Sequence, residues 1–279
     1  MYNIFVKTSS VKQMSIVFLA MSFIAIFSLV FVGCGRNNDQ VENKKITPVV
    51  HGSGGIDDLA YLNAQESFEL FVEKGYKYFE VDFIYTSDNV LVCSHKFDHI
   101  GNYSFKNRPT YEVFKNSLIA EKYHTMTMPW LVEELNKNKD IKVIFDTKEA
   151  DKTQVLIDVY NKFKMLGLDT DNQLIAQIYW ADAYDKVKNL SVKEFWFTNY
   201  KAEYTQKELN SYFDRLNDVT TIILSEENFF QFAEQNIILH KDIGVHYGEK
   251  VFDLIMLEKY GIDYLFVNYW TELGDQNLI

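Results

Sequence analysis

The chain has 279 residues, of which 47% are hydrophobic and 16% aromatic, and its formal net charge is -11. This length and composition allow a core the size of a barrel domain, and the many aromatic residues and few prolines argue against long disordered tracts. The negative charge argues against a nucleic-acid partner, because no basic stripe is visible that would neutralise phosphates, but it leaves open a small phosphorylated substrate bound with the help of a metal ion.

The N-terminal segment has the pattern of a targeting sequence. Lys7 and Lys12 precede an apolar run over 14–32, and Cys34 and a polar stretch follow it. A basic start, an apolar run and a small-residue exit are typical of a signal peptide or a membrane anchor, and the run is about long enough to span a bilayer. Cys34 resembles the lipidated cysteine of a bacterial lipoprotein signal, although Phe31 stands where such signals usually carry an aliphatic residue.

Both interpretations, a lipoprotein or an uncleaved helical anchor, tether the rest of the chain to the bacterial cell membrane on its extracytoplasmic face. We therefore predict a signal peptide or anchor over 1–33, a polar linker over 34–45 and one folded domain over 46–279.

Strand and helix patterns alternate through this domain. The segment 90–95 follows a turn and is predicted to be a hairpin partner or a continuation of the strand before it, whereas 96–127 is predicted to be a looser connection with a short helical piece. Eight β/α units remain, and eight units over about 230 residues predict a closed (β/α)8 TIM barrel. The predicted strands are 45–51, 78–83, 141–147, 174–178, 194–198, 219–224, 242–246 and 264–268, and the main helices are 63–74, 129–138, 152–166, 182–190, 205–216, 226–236 and 250–260.

Two carboxylates, Glu80 and Asp82, lie within the strand predicted over 78–83. Residues i and i+2 of a strand point to the same face, so one face of a hydrophobic strand carries two adjacent negative charges. Burying such a pair is costly unless a cation or basic side chains compensate the charge. The sequence therefore indicates either a metal site or a solvated edge strand.

Polar residues recur at the carboxyl ends of the predicted strands. In a TIM barrel these ends converge on one mouth, where active sites lie, so residues distant in sequence are expected to come close together. The residues are His51, Glu80, Asp82, His95, Asp146, Lys148, Gln177, His246 and Asn268.

The types of residue in this set indicate phosphodiester cleavage. The carboxylates of Glu80, Asp82 and Asp146 suit a hard divalent cation, Ca²⁺ or Mg²⁺, better than zinc, because the candidate ligands are mainly oxygen. His51 and His95 could act as general acid and general base near neutral pH. Further along, Lys148 could pair with a phosphate oxygen or form a salt bridge with Asp146, and Gln177 and His246 are candidate substrate contacts.

The order of these motifs resembles the glycerophosphodiester phosphodiesterases and their phosphatidylinositol-phospholipase-C-like relatives, which are TIM barrels. The resemblance is dense from His51 to Lys148 and faint beyond. It implies that His51 and His95 are the catalytic acid/base pair, that the three carboxylates are metal ligands, and that Lys148 faces the phosphate. The stretches that carry it are 51–52, 63–68, 74–82, 86–88, 91–95 and 145–148.

Three positions depart from the family pattern. Gly52 stands where the family commonly has arginine, which removes a phosphate contact, although glycines of this loop could donate backbone N–H groups instead. Lys96 replaces a frequent aspartate after the second histidine. Asp146 replaces a frequent glutamate, and one methylene less changes the reach toward a metal.

The function expected from the resemblance is a metal-dependent hydrolase of glycerophosphodiesters or of related phospholipid or polymer head groups. Two alternatives remain open from the sequence. One is a lyase that cleaves the same bond by attack of a substrate hydroxyl and gives a cyclic phosphate. The other is a non-catalytic surface lipoprotein that binds a phosphorylated ligand, which the missing arginine at position 52 favours.

Overall fold

The structure is a computed structural model that describes residues 45–201, 203–246 and 259–269. The predicted signal or anchor segment, Cys34, most of the linker and most of the predicted helix 250–260 lie outside the described residues. Within those three ranges, no helix is both long enough and apolar enough to cross a membrane.

Eight parallel strands close into a barrel, as predicted. Each barrel strand pairs with the next one in chain order, and the first strand closes the ring because it pairs with both the second and the last. The parallel barrel strands are β1 Thr47–Val50, β2 Tyr78–Tyr85, β7 Lys142–Thr147, β8 Leu174–Ile178, β9 Glu194–Thr198, β10 Val219–Leu224, β11 Asp242–His246 and β12 Tyr264–Val267; the additional strands are β3 Leu91–Cys93, β4 Leu118–Ile119, β5 Tyr123–His124 and β6 Met126–Thr127.

Apart from the short helix Thr170–Gln173, which the sequence does not predict, the described α-helices agree with the predicted positions to within a few residues at their ends. One difference matters for function: the helix predicted over 63–74 begins two residues later, so Asn63 lies outside it. The described helices are Gln65–Glu73, Tyr111–Lys115, Met128–Lys137, Lys152–Met165, Thr170–Gln173, Ala181–Val187, Gln206–Phe213 and Glu226–Glu234.

The segment predicted over 90–95 is a hairpin partner of β2 rather than its continuation. Its strand β3 runs antiparallel to β2 and places Cys93 opposite Phe83. The hairpin forms because β2 extends two residues beyond the predicted end and a tight turn follows. Ser94 then donates its backbone N–H to the carbonyl of Asp82 at 2.9 Å, so the chain returns to the carboxyl end of the barrel instead of leaving it.

Strand alternation separates two apolar layers. Inside the barrel, one layer contains Val49, Ile144, Trp196 and Phe266, and Tyr78 packs against it. Because Tyr78 faces the interior, Glu80 and Asp82 also face it, two and four residues further toward the mouth. The alternate residues, such as Phe79, belong to the larger core between the strands and the helices.

The segment predicted as a loose connection has a small core of its own. Phe97, Ile100, Phe114 and Ile119 are buried there together with residues of β2, β3 and the chain before the first long helix. The guanidinium of Arg108 holds the segment to the barrel, because it pairs with the carboxylate of Glu149 and donates to the carbonyl of Tyr85 at 2.9 Å. This compact segment therefore stands beside the mouth.

Candidate active site at the barrel mouth

Three buried carboxylates meet at the mouth. The register between β2 and β7 places Asp82 directly opposite Asp146, and Glu80 lies one inward-facing position deeper on β2. Each of the three offers an oxygen that lies within 4.8 Å of the others, and each residue is at most 2% exposed. The alternative of a solvated edge strand is therefore wrong for Glu80 and Asp82.

Two lysines compensate this charge. The ammonium of Lys148 lies 2.8 Å from Asp82 Oδ1 and 2.9 Å from Asp146 Oδ2, so it bridges the two aspartates. On the other side, Lys152 Nζ lies 3.2 Å from Asp146 Oδ1. Burial alone would raise the pKa of both aspartates, but the adjacent ammonium groups outweigh it, and each aspartate has a pKa below its ordinary value.

Glu80 has a different environment. Burial and the neighbouring charge of Asp82 raise the pKa of Glu80 well above its ordinary value, although the backbone N–H of Gly52 donates to its Oε2 at 2.6 Å. The protonated form of Glu80 is thus more favoured than it is in an exposed glutamate. The cluster contains two aspartates paired with lysines and one carboxyl whose ionised form a bound cation would stabilise.

The donor set fits a hard divalent cation. All three candidate ligands are carboxylates from rigid strands, and oxygen donors at such spacing are the ligands that Ca²⁺ and Mg²⁺ prefer. Lys148 Nζ is the group between two of these ligands. Its side chain is 27% exposed, so part of it faces the open mouth.

The two histidines lie next to different carboxylates. His95 contacts Asp82 through Nδ1, 3.0 Å from Oδ2, so Nε2 is the nitrogen left for a substrate. His51 Nε2 lies 3.9 Å from Glu80 Oε2. Burial lowers the pKa of His51 to about 4, so this imidazole is neutral at pH 7 and can accept a proton.

Residues 52–63 form a tight loop, called here the first loop, that is tied to the carboxylates at both ends. Asn63 donates through Nδ2 to Asp82 Oδ2 at 3.1 Å and accepts from the backbone N–H of Asp82 at 3.2 Å. Its own N–H donates to the carbonyl of Gly52 at 2.9 Å, which closes the loop. The sequence places Asn63 within the helix predicted over 63–74 and gives it no role in the site; its position in 63–68, one of the stretches that carry the family resemblance, is the available signal.

The missing arginine at position 52 has a steric explanation. Gly52 has a φ of +54°, and a Cβ there would lie 2.6 Å from the Cα of Tyr61. The ring of Tyr61 instead occupies the space between the two histidines: its centroid is 4.5 Å from that of His51, edge to face, and 5.5 Å from that of His95, stacked. Position 52 therefore holds a side chain only if the first loop moves.

Gln177 and His246 are both brought to the mouth, in different ways. Gln177 donates from Nε2 to the hydroxyl of Tyr179 at 2.9 Å, and that hydroxyl in turn hydrogen-bonds to Asp146. His246 packs against His51, with ring centroids 4.9 Å apart. The geometry makes Gln177 a support for the carboxylate cluster, and direct contact of either residue with substrate stays a prediction.

Two more residues of the site are not indicated by the sequence. The sequence predicts Lys152 only as the start of a helix, yet its ammonium is buried, donates to the carbonyl of Thr147 and lies 4.2 Å from the centroid of the Tyr179 ring. Tyr179 follows the predicted end of its strand, so the sequence does not indicate that it belongs to the site. Neither position carries a local pattern that distinguishes it from an ordinary helix or core residue.

We expect Gly52→Ala to lose more stability than Gly101→Ala. Both glycines have left-handed backbones, with φ of +54° and +52°, so each substitution costs about 1–2 kcal/mol of backbone strain. At Gly101 the added methyl meets open space, whereas at Gly52 it overlaps Tyr61 and adds about 1–3 kcal/mol. Urea unfolding of the two variants measures the difference, and equal losses would contradict the close packing of Tyr61 on Gly52.

Comparison with known proteins supports the fold and leaves the family open. No family model matches the sequence, and no curated protein matches it. Solved structures do match. A glycerophosphodiester phosphodiesterase from Parabacteroides distasonis is 18% identical, with a TM-score of 0.62, and the match covers 84% of this chain and 95% of that chain. A glycerophosphodiester phosphodiesterase from Thermotoga maritima is 17% identical, with a TM-score of 0.54, and the match covers 80% of this chain and 94% of that chain. An Oleispira antarctica phosphodiesterase, in complex with the product sn-glycerol-3-phosphate, is 13% identical, with a TM-score of 0.59, and the match covers 80% of this chain and 93% of that chain. This chain therefore has the fold of the glycerophosphodiester phosphodiesterases.

Proposed function

We propose that the protein is a metal-dependent phosphodiester hydrolase of the glycerophosphodiester phosphodiesterase type. The observation that carries the proposal is the convergence of three buried carboxylates, two histidines and Lys148 within one barrel mouth. The fold shared with enzymes of that name supports it, as does the neighbour in complex with sn-glycerol-3-phosphate. The proposed substrates are glycerophosphodiesters or related phospholipid or polymer head groups.

The three carboxylates Glu80, Asp82 and Asp146 would hold the cation, Ca²⁺ or Mg²⁺. When bound, the cation would neutralise negative charge on the phosphate and stabilise the charge that develops in the transition state. Once displaced from between the aspartates, Lys148 would reach the phosphate as a further positive charge.

The histidines divide the proton transfers. A water oxygen attacks phosphorus, and His51, which burial keeps neutral, takes the proton that this water loses. The bond from phosphorus to the leaving oxygen breaks. His95, held by Asp82 at Nδ1, gives the proton on Nε2 to that oxygen, so the products are a phosphomonoester and an alcohol. Tyr61, packed against both imidazoles, would keep them on their respective sides.

We expect His51→Ala and His95→Ala each to lower kcat for glycerophosphodiester hydrolysis by about 10²- to 10⁴-fold, since each removes one proton transfer. His240→Ala is the matched control, because that histidine is exposed and pairs with Asp214 away from the mouth. The assay follows products by phosphorus NMR, which also detects a cyclic phosphate and so tells the hydrolase from the lyase. Unchanged rates in the two mouth variants would show that the acid/base assignment is wrong, and binding without turnover by the wild type would favour the non-catalytic alternative.

Cation binding should depend on Asp82 and strengthen as the pH rises. Glu80 has a raised pKa and must lose its proton to bind a cation, so protons compete with the metal at lower pH. Saturation at about a hundred times the Kd should raise the free energy of unfolding by about 2.7 kcal/mol. Calorimetric titration with Ca²⁺ and Mg²⁺ at several pH values measures the affinity, and urea unfolding with and without the cation measures the stabilisation, in wild type, Asp82→Asn and the exposed control Asp185→Asn. Equal cation affinity in all three proteins would refute the site.

We also propose that the barrel is tethered to the outer face of a bacterial membrane through a lipidated Cys34. The basic start, the apolar run over 14–32 and the cysteine that follows support this proposal. Labelled fatty acid should be incorporated into the wild type in a bacterial host and be absent from Cys34→Ala. Label that persists in the variant would contradict lipidation at Cys34, and a wild type that is membrane-bound but carries no label would indicate the uncleaved helical anchor.

A further inference from the structure

A pocket separate from the carboxylate cluster opens beside His95. Its volume is about 340 Å³, and it lies between the first loop and the compact segment that follows β3. The residues that line it are Asp58, Leu59, Ala60, Tyr61, Leu62, Ser94, His95, Lys96, His99, Ile100 and Ile119. Glu80, Asp82 and Asp146 are not among them, so this space is distinct from the proposed cation site.

The pocket is joined to the reacting centre by two residues that it shares with the mouth. His95 holds Asp82 through Nδ1, and Tyr61 stacks on its ring, so the pocket begins at the imidazole that would protonate the leaving oxygen. Whatever is bonded to that oxygen has to lie next to His95. The position of the pocket therefore corresponds to the leaving group rather than to the half of the substrate that keeps the phosphate.

The walls of the pocket are apolar at the floor and polar at the rim. Leu62, Ile100 and Ile119 form an apolar floor, and all three belong to the small core of the compact segment. The rim carries exposed charged or polar groups, from Asp58, Lys96 and His99. An occupant that places carbon atoms on the floor gains from removing apolar surface from water, while polar atoms stay at the rim.

We infer that this pocket is a specificity site for the aliphatic part of the leaving alcohol, an inference that rests on the proposed phosphodiesterase function. A volume of about 340 Å³ is near the lower end of small-molecule sites, so it suits a short alkyl chain rather than a whole lipid tail. The preferred substrates are phosphodiesters whose leaving group is an alcohol with several consecutive methylene carbons.

The test uses methyl, ethyl, butyl and hexyl esters of sn-glycerol 3-phosphate. The ethyl, butyl and hexyl alcohols have nearly equal acidity, so differences among their esters report binding rather than intrinsic reactivity. We expect kcat/KM to rise about two- to fourfold for each added methylene until the pocket is full, in line with burial of one CH₂ group at a time. Glycerol and choline esters of the same phosphate serve as polar comparisons and should fall below the butyl ester.

Two variants change the shape of the pocket in opposite directions. Ala60→Leu fills it and should bring the ratio of hexyl to ethyl kcat/KM close to one, whereas Ile119→Ala enlarges it and should extend the rise to longer chains. Ile157→Ala is the matched control, because Ile157 is half-buried against the main core on the helix Lys152–Met165 and should keep the wild-type ratio. Thermal unfolding of each variant identifies any that fail to fold. If one pocket variant fails, the ratio of hexyl to ethyl kcat/KM in the other pocket variant is compared with the ratio in wild type and in Ile157→Ala.

The outcomes separate this inference from the function on which it rests. A flat series, or a preference for the glycerol or choline ester, overturns the apolar leaving-group site and leaves the phosphodiesterase function standing. A rising series that neither variant alters shows that the chain is bound elsewhere and also overturns it. Failure to hydrolyse any ester, with the cation present, overturns the proposed function itself.

Discussion

Lys148 places its ammonium between Asp82 and Asp146, 2.8 Å from one and 2.9 Å from the other, in a part of the barrel where both aspartates are almost fully buried. Three carboxylates this close could not be buried without compensation, because each loses its hydration and repels the others. The lysine stabilises the ionised form of both aspartates, whereas burial and the charge of Asp82 raise the pKa of Glu80. The buried carboxylates of the mouth are thus stabilised by a positive charge at their centre, and the three together could hold a metal ion.

The groups around this carboxylate cluster come from different chain segments, and a different structural feature positions each of them. The register between β2 and β7 sets Asp82 against Asp146, and Lys148 follows directly from β7. His95 arrives by a hairpin that folds back along β2, so it reaches the mouth without belonging to a parallel barrel strand. In the first loop, Asn63 holds both the side chain and the backbone of Asp82.

The first loop also accounts for the glycine at position 52. Its left-handed residues include Gly52 at +54°, Tyr61 at +56° and Asn63 at +46°, and they fold the chain tightly over the histidines. The backbone of Gly52 donates to Glu80, and Tyr61 takes the space above it. Asp146, one methylene shorter than the glutamate common at this position in the family, is held by two lysines and Tyr179. At both positions where this chain differs from the family pattern, Gly52 and Asp146, neighbouring residues of the chain thus pack against or hold the residue that is present.

The amino-acid sequence by itself determined the barrel and the carboxylates at its mouth, because both depend on local patterns. Alternating strand and helix periodicities specify eight β/α units, and the spacing of Glu80 and Asp82 puts them on one face whatever the rest of the chain does. Only the tertiary structure decided how His95 reaches Asp82, that Asn63 and Lys152 belong to the site, and that Tyr61 closes over Gly52. These features depend on left-handed loop residues and on contacts between segments that are distant in sequence. Such contacts form only when the barrel has closed, so no local sequence pattern indicates them. The sequence predicts a loose connection over 96–127 for the same reason: the apolar residues there have no regular period, and they form a core only together with residues of β2 and β3.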